Sequence, residues 1–199
     1  AGTYGTSLAA SSAGSCLPCG PGMYSTMLAA NSSAACSKCN AGTFSTAFAA
    51  DSSILCTMCP AGTFASSIAA TNCTLCGAGK YSSGQGMVNE GNCSLCGAGT
   101  YSSGLGGTEA LFCRACAAGA YSTSLGATDG KASCALCGPG TFGTGEGGMN
   151  IGACQACGPG TFGTGSGETN NSVCIACAAG TYNTGLGMTM AAGCTLCVA

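Results

Sequence analysis

Apolar and polar positions along this chain follow neither a 3.6-residue period nor a long strict alternation. Short apolar touches recur between glycine, serine and threonine, as in "ACQACGPGTFGTGSG" at 153–167. No stretch predicts a sustained helix, because glycine punctuates every window. The pattern predicts short extended segments joined by turns. In "CGPGTF" the Pro-Gly step suits the two central positions of a type II turn, proline presetting φ and glycine supplying a positive φ.

A longer period organises these fragments. CxxC pairs stand at Cys16/Cys19, Cys36/Cys39, Cys56/Cys59, Cys73/Cys76, Cys93/Cys96, Cys113/Cys116, Cys134/Cys137, Cys154/Cys157, Cys174/Cys177 and Cys194/Cys197. Successive pairs lie 20, 20, 17, 20, 20, 21, 20, 20 and 20 residues apart. The unit reads roughly A-G-T-[YF]-S-T-x-x-A-A-x-S-S-x-x-C-x-x-C. It divides the chain into ten repeats: 1–19, 20–39, 40–59, 60–76, 77–96, 97–116, 117–137, 138–157, 158–177 and 178–199. The 17-residue step is a deletion in "AGTFASSIAATNCTLC", and the 21-residue step is an insertion near Lys131. Both fall in the variable half of the unit, as changes in a surface loop should. Repeats 1 to 4 carry an Ala-Ala pair, and repeats 5 to 10 mostly carry Gly-x-Gly. One aromatic falls at the same phase throughout: Tyr4, Tyr24, Phe44, Phe64, Tyr81, Tyr101, Tyr121, Phe142, Phe162 and Tyr182. These rings are the expected stacking core, each packing on the neighbouring repeat.

Composition narrows the class. The 199 residues include 20 cysteines and 36 glycines, but only 4 basic and 6 acidic side chains, for a net charge of −2. Such a chain offers no basic face for nucleic acid or anionic lipid, and little charge to keep copies apart. Leu, Ile, Val and Phe supply 25 residues and there is no tryptophan, too little for a conventional core. Cysteine at this density points instead to cross-links, covalent or metallic. No apolar run approaches a membrane span, and residues 1–10 already read as repeat, so no signal peptide is expected there.

The candidate chemistries of CxxC are metal, redox and staple. Two pairs at this spacing suit a four-cysteine zinc site, but nothing groups the pairs two by two and their surroundings are nearly uncharged. A redox CxxC requires a setting that lowers one thiol's pKa, and ten copies would be a strange enzyme. Histidine is absent, which removes haem attachment and Cys-His or Ser-His pairs. "GTGEGG" at 143–148 matches GxGxxG by chance, outside any strand-to-helix setting. No catalytic site, cofactor or metal is expected. Sequons at Asn31, Asn72, Asn92 and Asn170 favour secretion and glycosylation; cysteine as the middle residue predicts lower occupancy at Asn72 and Asn92.

The motif C-x-x-C-x-x-G-T-[YF]-S, as in "CPAGTF" and "CGAGTYSS", resembles the ephrin-receptor-like cysteine-rich repeat. It is also similar to the simplest two-cysteine module of tumour-necrosis-factor-receptor ectodomains. The resemblance implies that the cysteine before G-T-[YF] bonds the next one in the chain. Carried over, it pairs Cys19–Cys36, Cys39–Cys56, Cys59–Cys73, Cys76–Cys93, Cys96–Cys113, Cys116–Cys134, Cys137–Cys154, Cys157–Cys174 and Cys177–Cys194. The rival connectivity, each CxxC closed on itself, would tie four residues together and hold nothing else. A staple of this loop size contributes about 3 kcal/mol, too little to order a repeat by itself, so each unit must also stack on the next.

The expected fold is a small disulfide-rich repeat protein: an elongated, solenoid-like rod of ten units with short β segments, turns and little or no helix. Its expected role is non-catalytic, extracellular and structural, a filament, stalk or surface appendage like the long arrays of some protist and algal surface proteins. A receptor or adhesion ectodomain that binds protein or glycan, and an intracellular zinc array, are the alternatives. The implied pairing leaves Cys16 and Cys197 over for bonds between segments. Two residues follow Cys197 and fifteen precede Cys16, so head-to-tail copies would keep the Cys116–Cys134 interval across the junction. The expected partner is therefore another copy or further repeats of the same chain, with no nucleic acid and no membrane span.

Overall fold

The computed structural model describes residues 1–8 and 12–198. Ala9 and Ala10, the Ala-Ala pair of repeat 1, lie outside the described residues, as do Ser11 and Ala199. The described residues form ten two-stranded sheets, eight 3-10 turns and a single four-residue α-turn. This is a small disulfide-rich repeat protein with almost no helix.

Each repeat closes as a minimal hairpin. The G-T-[YF] segment supplies one strand and the two central residues of CxxC supply the other, so Thr3 faces Pro18 and Tyr4 faces Leu17. Threonine and an aromatic favour the extended chain, but glycine ahead of them and a small residue behind end the strand after two positions. The predicted Pro-Gly turn is present: Thr141 N–H donates to the Gly138 carbonyl at 3.1 Å, and Gly140 has φ +77°. The Thr141 hydroxyl donates to the same carbonyl at 2.7 Å.

The other half of the repeat is a loop that ends in a 3-10 turn just before the first cysteine. Ser32, Ser52, Asn150 and Asn170 cap these turns, each side chain accepting the N–H two residues on. Both length changes fall there. The 17-residue step has no 3-10 turn before Cys73. The 21-residue step widens the turn to the α-turn Gly130–Ser133, where Asp129 accepts the Lys131 N–H at 2.8 Å.

The chain divides into two compact units. The first is Ala1–Ser94 with Leu105–Ala110, and the second is Leu95–Gly104 with Leu111–Ala199. Inside the first, each repeat is bonded to the next through its backbone: Gly2 N–H to Ser25 O and Gly22 N–H to Ser45 O, both at 2.8 Å. Tyr4 and Tyr24 add parallel bridges to Ala30 and Ala50. Coupling also skips a repeat, since Ala49 and Ala69 N–H donate to the carbonyls of Cys19 and Cys39 at 2.9 and 2.8 Å. The second unit repeats both connections, with Gly99 N–H to Ser122 O at 2.7 Å and Gly147 N–H to Cys116 O at 2.8 Å.

The skipping contact explains the two repeat subfamilies. Its donor residue is left-handed: φ is +53° and +59° at Ala49 and Ala69, and +67° and +72° at Gly86 and Gly147. Ala29 shares the conformation at +55° without making the contact. Repeats 2 to 4 thus hold alanine where the later repeats hold glycine. A left-handed alanine costs roughly 1–2 kcal/mol from Cβ crowding, partly offset by its lower unfolded-state entropy. A second glycine constraint has no such tolerance. A Cβ on Gly99 would overlap the Gly147 carbonyl oxygen, the backbone of the repeat two further on. Ala49→Gly is therefore expected to stabilise by about 1 kcal/mol, read as a higher guanidinium midpoint with disulfides intact. Gly99→Ala should instead lower stability by at least about 2 kcal/mol.

Candidate functional site: the cystine ladder and its surface

Nine disulfides join Cys19–Cys36, Cys39–Cys56, Cys59–Cys73, Cys76–Cys93, Cys96–Cys113, Cys116–Cys134, Cys137–Cys154, Cys157–Cys174 and Cys177–Cys194. Each links the end of one repeat to the body of the next. The reason lies in the backbone of CxxC itself. Its two central residues are a strand, so the flanking cysteines sit about 10 Å apart in extended chain, beyond the 4.4–6.8 Å that a disulfide bridges. The bonded pairs stand 5.5–6.0 Å apart between Cα atoms. Every interior CxxC thus points one sulfur backward and one forward. It cannot cycle as a dithiol without losing its hairpin, and bonded sulfurs carry no thiolate to ligate a metal. Cys16 and Cys197 are free and exposed.

The forward-bonding cysteine is among the deepest residues of repeats 1 to 8, and half-buried as Cys177 in repeat 9. Cys19, Cys39, Cys59, Cys76, Cys96, Cys116, Cys137 and Cys157 are 0–1% exposed. Beside it lies the residue after the aromatic: Ser25, Ser45, Ser82, Ser102 and Ser122 are buried, and later repeats place Gly143, Gly163 and Asn183 there. The space is small. A Cβ on Gly143 would stand 3.3 Å from the Cys137 sulfur and 3.2 Å from the Gly119 nitrogen. Serine fits because its hydroxyl stays satisfied, Ser25 and Ser45 accepting the N–H of Met27 and Ala47. In repeat 10, Asn183 reaches further and donates from Nδ2 to the Thr161 carbonyl at 3.0 Å.

The aromatics occupy the shell outside this line of sulfur and serine. Phe142 is buried, Tyr4, Tyr24, Phe44, Phe64, Tyr81, Tyr101, Tyr121 and Phe162 are half-buried, and Tyr182 is exposed. Three of the rings face the next repeat across a shallow cleft. Tyr24 lines one with Thr43 and Cys56, Phe162 another with Thr181 and Cys194. The cleft of Tyr101, Gly130, Lys131 and Cys134, at the widened turn of repeat 7, has a volume of about 450 Å³, against about 150 Å³ at Tyr24. Large apolar side chains stand outside: Leu28 is 80% exposed and Phe48 69%.

The charges form no cluster. Among the described residues one ion pair occurs, Lys80 Nζ to Glu90 Oε1 at 2.8 Å on the surface, a contact worth under about 1 kcal/mol. No group of three or more His, Cys, Asp or Glu side chains among them could hold a metal ion. The sequon residues Asn31, Asn72, Asn92 and Asn170 are all exposed.

Residues 26–76 and 46–93 match a family model described as tyrosine-protein kinase ephrin type A/B receptor-like. No curated protein matches the chain. The matched stretch lies within repeats 2 to 5, and the repeats beyond it carry the same hairpin, with a forward disulfide in repeats 1 and 6 to 9. The protein is built of tandem cysteine-rich repeats, and over residues 26–93 they are similar to the ephrin-receptor-like module. Nine disulfides and this module point to an extracellular domain without catalysis. No described helix is long and apolar enough to cross a membrane.

Skipping repeats and buried serines were not readable as a site from the sequence. The serine phase was visible in the consensus, but its small size gave no cue to burial. Ser102→Leu is expected to destabilise by about 1–3 kcal/mol through overpacking against the cystine, whereas Ser103→Leu, at an exposed neighbour, should change the unfolding midpoint little.

Proposed function

We propose that this chain is a segment of a non-catalytic extracellular structural protein, a disulfide-stapled array serving as a filament, stalk or cell-surface appendage. One observation carries the reading. The groups that couple neighbouring repeats are backbone and cystine, and they recur with the same partners in both compact units. A ligand-binding array would diversify its repeats around a charged or concave site, while a structural array needs one interface reused. In this reading the exposed thiols of Cys16 and Cys197 bond outside the segment, to a second copy or to further repeats. Glycans on the exposed sequons would keep a nearly uncharged surface soluble.

The second reading is a receptor or adhesion ectodomain, favoured by the receptor-like description of the matching family. Immunoelectron microscopy of the source cells with antibodies to this chain separates the two. Label running along fibres or stalks at the cell surface is the expected result. Even label over the plasma membrane, with no appendage beneath it, would favour the receptor. Label confined to the cytosol would defeat both and return the zinc array.

A further inference from the structure

We propose that disulfide closure competes with N-glycosylation at Asn72 and Asn92, while the two reactions are independent at Asn31 and Asn170. The inference rests on the extracellular reading, since both reactions belong to the secretory route. All four asparagines are exposed, so exposure does not distinguish them. The two residues after each asparagine do.

In Asn72-Cys73-Thr74 the middle residue is bonded to Cys59, whose side chain is 0% exposed. The hydroxyl residue Thr74 is already in its strand, paired with Phe64. In Asn92-Cys93-Ser94 the cysteine is bonded to the fully buried Cys76 and is itself buried, and Ser94 opens the strand Ser94–Leu95. Asn92 also closes the 3-10 turn Glu90–Asn92, its Oδ1 accepting the Asn89 N–H at 3.2 Å. Once the disulfide forms, the middle and last residues of each tripeptide are fastened to the repeat. Asn31-Ser32-Ser33 lies five residues ahead of Cys36, with all three residues exposed. Asn170-Asn171-Ser172 lies four ahead of Cys174, equally exposed. Asn170 caps its 3-10 turn, Oδ1 accepting the Ser172 N–H at 3.0 Å, so a local turn bond is common to Asn92 and Asn170. The difference is that no cystine or hairpin strand falls within Asn170-Asn171-Ser172.

The chemistry makes the two reactions exclusive in time. Closure removes two protons and two electrons from the thiols of Cys59 and Cys73, or of Cys76 and Cys93, and a protein disulfide is reduced to a dithiol. Glycosyl transfer forms a bond from Asn Nδ2 to the anomeric carbon of a lipid-diphosphate sugar. The carbon–oxygen bond to the diphosphate breaks, Nδ2 loses a proton, and the lipid diphosphate departs. The transferase must engage Asn and the hydroxyl two residues on together, which requires a tripeptide that can leave the protein surface. At Asn72 and Asn92 only the open dithiol allows that.

The test is site-resolved glycopeptide mass spectrometry on the whole chain, directed into the secretory pathway of a eukaryotic cell and collected as total cellular and secreted protein. Wild type, Cys59→Ser, Cys76→Ser, and wild type under a short pulse of membrane-permeant reductant are compared. Occupancy is expected to rise at least about two-fold at Asn72 in Cys59→Ser, at Asn92 in Cys76→Ser, and at both under reductant, with Asn31 and Asn170 unchanged. The reductant arm holds even where a variant misfolds. Equal occupancy of Asn72 and Asn92 across all arms, or a uniform rise at all four sites, overturns the competition while leaving the glycoprotein reading intact. No glycan at any site in any arm overturns that reading with it.

Discussion

The structure depends on the bond from the second cysteine of each CxxC to the first cysteine of the next. From Cys19 to Cys157 that second cysteine is almost fully removed from water. Two-residue strands and single 3-10 turns cannot persist alone: isolated two-stranded hairpins are marginal in water, and short helical turns are worse. The cystine replaces the aliphatic cluster that a larger domain would bury. Because it fills the space itself, the residue beside it must be small, and serine, alanine or glycine stands there in repeats 2 to 9.

Once the core is sulfur and serine, the character of the surface is set. Leucine and isoleucine are released from packing and stand exposed at loop tips, in the 3-10 turns and in the CxxC strands. The chain tolerates Gln85, Glu146 and Ser166 at the tip phase occupied by Leu28 and Phe48, which shows that folding makes no demand on that position. Stability comes from connections between repeats, as in other arrays whose energy is a sum over neighbours. Here the sum extends to the second neighbour, through the carbonyl of the buried cysteine and the left-handed residue that donates to it. A lone repeat lacks both partners, so three consecutive repeats are the smallest set in which every connection is present.

Much of this was legible in the residues, for identifiable reasons. A twenty-residue cysteine period cannot arise from local propensity, so it exposes the repeat directly. Pro-Gly before Thr-Phe has few backbone solutions, and the turn at Gly138–Thr141 is the one expected. The two length changes fell in a surface turn because only there can the chain gain or lose residues without moving a cystine. The rings were another matter. Their area marks them as core candidates, yet a hairpin two residues wide covers one face of a ring and leaves the other to a shallow cleft, as at Tyr101. The skipping hydrogen bond had no sequence signature beyond the alternation of Ala-Ala with Gly-x-Gly, and alanine hides a left-handed backbone that glycine advertises.

The most direct test of this account is disulfide mapping of the native protein: alkylation without reductant, digestion, and mass spectrometry of the linked peptides. The account predicts nine cross-repeat links, Cys19–Cys36 through Cys177–Cys194, with no bond inside any CxxC. Peptides closed within a CxxC, such as Cys36–Cys39, or alkylation of all twenty cysteines, would contradict it.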